Sequence, residues 1–125
     1  QELILQPQSD LPHFRHFLSE IGWEIVREEM IKEDGKFYPM MKAVRNKTGK
    51  KIMYTEAEAW FGPLLLEKCH PVLKEYLLRE ASIREKILAD LSGARASSAS
   101  AKDRLAEVKE EMELIKSALK RYESI

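Results

Sequence analysis

The sequence predicts an α/β fold in which half of a sheet is followed by an antiparallel helical hairpin. Three observations carry that reading. An apolar run, Leu3-Ile4-Leu5, is closed by Gln6-Pro7 in the manner of a strand buried on both faces. Two apolar runs flank Asp34-Gly35, a strong hairpin-turn pair because glycine accepts positive φ without penalty. Near the end, Leu105, Val108, Met112, Ile115, Leu119 and Tyr122 alternate three- and four-residue steps, a heptad seam.

The elements follow in order. After the first strand, Ser9-Asp10-Leu11-Pro12 is a helix start, in which either polar side chain can cap free N–H groups and proline sits in the first turn. Leu11, Phe14, Phe17, Leu18 and Ile21 form one apolar face, and Gly22 ends the helix. Residues 23–31 and 37–44 read as two antiparallel strands, with Pro39 implying a bulge or an unpaired position. Strand, helix, hairpin is an α/β order with a right-handed first crossover expected.

Thr55-Glu56-Ala57-Glu58 matches a capping box, and Phe61-Gly62-Pro63 interrupts the helix it opens. Leu64 to Cys69 makes a further short turn or two. Pro71 then opens a long helix to about Leu91, with a stripe of Leu73, Tyr76, Ile83 and Ile87 that Glu80 interrupts. Ser92 to Ser100 is small and polar, hence a loop, and the heptad helix follows. The resulting division is 1–54 for the partial α/β domain, 55–71 for connecting helical segments, and 72–125 for the hairpin with its loop at 92–101.

Composition bounds the function. The chain has 125 residues, 44% of them hydrophobic and 34% charged, which is ordinary for one helix-rich domain. Lysine plus arginine equals aspartate plus glutamate at 21 each, so net charge alone points to neither nucleic acid nor membrane. No apolar run approaches the roughly 20 residues of a membrane span, and no signal peptide pattern leads the chain. The first residue is Gln rather than Met, which fits a start lying upstream. A single cysteine, Cys69, excludes an internal disulfide and a cysteine-based zinc site, so the cytoplasm is the expected compartment.

The candidate chemistry is sparse. His13 and His16 at i, i+3 lack a third ligand at a diagnostic distance and read as surface or groove histidines, so no metal site is expected. Cys69 beside His70 reads as a structural cysteine in an apolar helical context rather than a nucleophile. Glu28, Glu29, Glu33 and Asp34 read as a solvated edge; neighbours in a strand face opposite ways, so Glu28 and Glu29 do not act together. The clearest charge feature is Lys36, Lys42, Arg45, Lys47, Lys50 and Lys51, with no acidic residue between Asp34 and Glu56. It is either a solvated loop or a phosphate-contacting patch, which Arg15 and Arg27 would extend. On the residues alone the chain is an interaction module.

Several segments together resemble a known family. The stretch "ELILQPQSDLPHFRHFLSEIGWEIVREEMIKEDGKFYPMMKA", and within it "LILQP" and "LxxxGWEIVxEEMIxEDGKFYPMM", is similar to the second half of the catalytic domain in bacterial tRNA (adenine-N1)-methyltransferases that act on a D-arm adenine. "FGPLLLEK…HPVLKEYL" leads into the hairpin as it does in that family. The resemblance implies a class I, Rossmann-like methyltransferase sheet, of which "LILQP" is the fifth strand, followed by a coiled-coil hairpin. It implies S-adenosylmethionine as cofactor of the parent enzyme and tRNA as partner. The family's cofactor-binding motifs match nothing here, so this chain alone is expected to bind no S-adenosylmethionine and to be inactive. Gln6 becomes a candidate target-base contact. Lys36, Lys42, Arg45, Lys47, Lys50, Lys51 and the outer face of the hairpin become candidate tRNA contacts. The alternative is a non-enzymatic module that docks a partner, or forms a homodimer, through its sheet edge or helical hairpin.

Overall fold

The computed structural model describes residues 2–7, 10–48, 50–91 and 98–123. The order is β1 (Glu2–Leu5), α1 (Leu11–Glu20), β2 (Trp23–Glu33), β3 (Lys36–Arg45), α2 (Glu56–Phe61), α3 (Pro63–Glu67), α4 (Pro71–Leu91) and α5 (Ala99–Glu123). The chain divides into two compact units, Gln1–Leu73 and Lys74–Ile125. Among the described residues no helix is long and apolar enough to cross a membrane.

In the first unit the strands form one sheet in the order β1-β3-β2. Both β1 and β2 pair antiparallel with β3. They therefore run the same way, and α1 is the crossover between them. The hairpin closes as its turn residues demand: Asp34 has φ 51° and Gly35 φ 76°, the two positive values of a type I′ turn. One face of the sheet is covered. Leu18 of α1 packs with Ile25, Met41 and Ala43, and Leu5, Leu11, Phe14, Trp23, Tyr54 and Leu64 surround them. The capping box forms, with Glu58 N–H donating to the Thr55 hydroxyl at 3.1 Å and Thr55 N–H to the Glu58 carboxylate at 2.9 Å.

Several expectations are corrected. The β1 strand is not buried on both faces: Leu3 is exposed and Ile4 is 82% exposed, because β1 lies at the edge of the sheet among the described residues. Of the two readings of Pro39 the bulge is corrected, since it stands opposite Met30 in register and the slip lies between Ile25 and Arg27, while the unpaired position holds on the side facing β1. Proline is tolerated because β1 ends with Leu5 opposite Met41, so β3 has one partner strand at Pro39 among the described residues. Asp10 does not cap α1 with its side chain but adopts the left-handed conformation at φ 50°; Ser9, the other candidate cap, lies outside the described residues. Cys69 is not helical: α3 ends at Glu67, and Cys69 takes φ 48° in the turn before α4.

In the second unit α4 and α5 are long helices. Arg84 Nε meets the Glu111 carboxylate at 3.2 Å, and the Lys74 ammonium lies 6.0 Å from the Tyr122 ring centre. Contacts at 74/122 and 84/111 require that the two helices run in opposite directions. Burial of Arg84 opposes its charge, but the Glu80 hydrogen bond and the Glu111 carboxylate outweigh this and raise its pKa. On α5 the buried residues Val108, Met112, Ile115 and Tyr122 keep the predicted seam, with Ala118 added. On α4 Leu73 is buried as expected and Tyr76 and Ile87 are half-buried, but Leu77 is buried as well and Ile83 is exposed. The polar pair Glu80 and Arg84 occupies the place read as an interruption. The expected loop falls largely at 92–97, outside the described residues.

Candidate functional site

Gln6 follows the carboxyl end of β1 and is exposed. It lines a cleft of about 590 Å³ together with Pro7, Asp10, His13 and Phe17. His13 and Phe17 stand one turn apart on the outer side of α1. The Asp10 carboxylate makes no cap hydrogen bond, so its acceptors remain on the cleft wall. An amide, a carboxylate and an imidazole around an aromatic side chain can hold the polar edge of a flat ligand. Among the described residues no group of three or more His, Cys, Asp or Glu could hold a metal ion.

The basic stretch is not one patch. Lys36 opens β3 beside the hairpin turn and Arg45 closes it, so they stand roughly 30 Å apart along the strand. Lys42 is paired with Glu2 at 3.2 Å, and Lys51 with Glu20 at 3.1 Å. Arg45, Lys47 and Lys50 are exposed and make no ion pair among the described residues. Arg27 faces Lys42 across the strands and is exposed. On α5, Lys102, Lys109 and Lys116 recur every seven residues and are exposed.

Arg15 is not part of any basic surface, and Glu28 is not on a solvated edge; each is 1% exposed. Arg15 Nε and Nη2 donate to one Glu28 oxygen at 3.2 and 3.1 Å, and Nη1 donates to the Ala59 carbonyl at 2.7 Å. The other Glu28 oxygen accepts from Leu64 N–H at 2.8 Å. This cluster ties α1, β2 and the α2–α3 corner together.

Glu29 faces away from that cluster, as strand alternation requires. It binds the Lys68 ammonium at 2.8 Å and His70 Nε2 at 3.2 Å. His70 Nδ1 accepts from Val72 N–H, so a neutral ring carries its proton on Nε2 and donates it to Glu29. The hydrogen bond from Lys68 holds the Glu29 carboxyl below the ordinary carboxylate range, against a smaller opposing effect of burial, with His70 adding to the depression. A depressed carboxyl pKa contributes stability that is present above the unfolded value and is lost as pH falls through the folded one. Glu29→Gln is therefore expected to reduce the loss of stability on going from pH 7 to about pH 3.5. Urea midpoints for both proteins at the two pH values check this, and parallel declines would refute it.

The sequence matches a family model described as tRNA (adenine(22)-N(1))-methyltransferase over residues 1–117. The chain belongs to this family. The tRNA m1A22 methyltransferase of B. subtilis superposes with a TM-score of 0.78 at 27% identity, covering 94% of this chain and 51% of that one. A Streptococcus pneumoniae protein, described as a candidate tRNA m1A22 methyltransferase and solved with S-adenosyl-L-methionine, gives 0.75 at 24% identity, covering 94% and 47%. A candidate tRNA methyltransferase of Mycoplasma genitalium is 33% identical over 87 residues, 66% of this chain and 39% of that protein. The chain thus spans about half the length of the solved family members it matches.

Proposed function

We propose that the chain is the C-terminal part of an S-adenosylmethionine-dependent tRNA adenine-N1 methyltransferase. It contributes the end of the catalytic sheet and a coiled-coil hairpin that contacts tRNA. The observation that carries this reading is the state of β1. Its apolar Leu3 and Ile4 are exposed, and among the described residues β3 is its one strand partner. A strand of this composition is suited to further strands beside it, as in a parallel sheet covered on both faces.

In this reading S-adenosylmethionine is held by residues other than the described ones. The positive-φ glycines serve elsewhere: Gly22 follows α1, Gly35 turns the hairpin and Gly62 lies under the Glu28 carboxylate. The glycine turn after a strand that receives such a cofactor is therefore sought elsewhere in the parent enzyme. No step through the cofactor is therefore assigned to this chain. Its own task is to present the base. Adenine N1 carries an in-plane lone pair, so positioning that edge is the main requirement. Gln6, at the carboxyl end of a sheet strand, can hydrogen-bond the base edge once the base has left its stack. The exposed lysines of α5 and Arg45, Lys47 and Lys50, which make no ion pair among the described residues, are the candidate backbone contacts.

The full-length protein is expected to transfer methyl groups to adenine N1 in tRNA. Gln6→Ala should lower kcat/KM about tenfold, the contribution of one well-placed hydrogen bond. The 125-residue chain alone should show no heat of S-adenosylmethionine binding in calorimetry. Tight binding by the chain alone, or a full-length protein without methyltransferase activity, would overturn the reading. Unchanged kinetics for Gln6→Ala would remove Gln6 from the site.

A further inference from the structure

We propose that residues 45–48 and 50–53 form a preorganised RNA anchor at the Trp23–Arg45 end of the sheet, combining Arg45, Lys47 and Lys50, which make no ion pair among the described residues, with one apolar side chain, Met53. The proposal rests on the tRNA methyltransferase reading and names one contact surface for that partner.

The position follows from strand register. Leu5, just before Gln6, pairs with Met41, and β3 runs from there away from Gln6 to Arg45, opposite Trp23. Four residues of strand put Arg45 about 14 Å beyond Met41, and the loop continues from that point. A ligand held by this loop and a base held at Gln6 therefore lie roughly 15 Å apart along the direction of β3. A partner as large as tRNA can reach both.

The loop is held in place at several points. Asn46 N–H donates to the Gly22 carbonyl at 2.8 Å. The Asn46 side chain accepts from Thr48 N–H at 2.9 Å and from the Thr48 hydroxyl at 2.6 Å, and donates to the Lys50 carbonyl at 2.9 Å. Further on, the buried Ser19 hydroxyl donates to the Ile52 carbonyl. A loop tied at both ends to α1 and the α1–β2 turn loses little conformational freedom on binding.

Its chemistry suits a nucleic acid. Arg45, Lys47 and Lys50 are exposed and make no ion pair among the described residues, while Lys51 is neutralised by Glu20. Met53, two residues past Lys51, is 84% exposed. A single exposed apolar residue is common on surfaces. One at the end of a fixed cationic loop can meet a partner offering phosphates beside a flat apolar face, which is what RNA with an unstacked base presents. Phosphate contacts respond to salt and an apolar contact does not, so the two halves of the surface can be measured separately.

Contacts this far from the reacting atom act equally on the ground and transition states, so they move KM and not kcat. The test uses the full-length protein. Its methylation of tRNA is measured first, because absence of activity there would fail the functional reading and not the anchor. In an active protein, the triple variant Arg45→Gln, Lys47→Gln, Lys50→Gln is expected to raise the KM for tRNA at least tenfold, with kcat changed less than twofold. The slope of log K against log salt should fall by about two. Met53→Ser should weaken tRNA binding about tenfold with the salt slope unchanged. S-adenosylmethionine affinity should be unaltered in both. An unchanged KM and salt slope in the triple variant would overturn the anchor, as would a loss confined to kcat. Unchanged tRNA affinity in Met53→Ser would overturn the apolar contact.

Discussion

Replacing Arg15 by methionine is expected to destabilise the first unit by about 3–5 kcal/mol. The cost comes from what the substitution leaves behind. Glu28 is 1% exposed and loses both hydrogen bonds from the guanidinium, so a carboxylate remains in the interior without its cation. The Ala59 carbonyl loses its 2.7 Å donor in the same step. Removing both charges as Arg15→Met, Glu28→Met should recover much of the loss, because apolar replacement of a buried pair is often close to neutral. Recovery should be incomplete here, since the Ala59 carbonyl and the Leu64 N–H would both lack their side-chain partners. Both tryptophans, Trp23 and Trp60, lie in the first unit, so fluorescence during urea unfolding reports on it directly. A loss below about 1 kcal/mol for Arg15→Met would refute the account.

That cluster also shows where sequence reading reaches its limit. The Asp34-Gly35 turn, the capping box and the α5 seam are legible because each is local: the residues that specify them touch one another or repeat at a fixed period. Glu28 reads as solvated because four carboxylates within seven residues resemble a charged edge. Its burial depends on Arg15, thirteen residues earlier, and on the α2–α3 corner far later in the chain. No local pattern carries that information. The α4 stripe departs differently, at Ile83 and Leu77 only. Its apolar residues support more than one rotation, and the Arg84–Glu111 contact lies across the two helices, where periodicity within one helix cannot see it. At the candidate site, Gln6 stands out from its place after a strand, but Asp10 and Phe17 read only as helix start and helix face. The basic stretch looks continuous because sequence distance hides the length of a strand. Six cations in sixteen residues become two separated ends and two neutralised lysines.

Gly62→Ala is the second substitution expected to cost about 3 kcal/mol or more. Gly62 has φ +99° and ψ 122°, a conformation that any side chain strains. An added Cβ would also stand 2.7 and 2.8 Å from the two Glu28 oxygens and 3.0 Å from Arg15 Nη2. A loose carboxylate could swing aside at little cost. This one is held by the Arg15 guanidinium on one oxygen and by Leu64 N–H on the other, so yielding to the methyl group means breaking the pair. Backbone strain and collision can be separated in a background carrying Arg15→Met and Glu28→Ala. There the methyl group has room, and Gly62→Ala should cost only the backbone part, about 1–3 kcal/mol. The difference between its cost in the two backgrounds measures the coupling of Gly62 to the ion pair. Equal costs would show that the glycine is needed for its backbone alone. A smaller cost once Glu28 is truncated would show that it is there to let the buried carboxylate approach the chain.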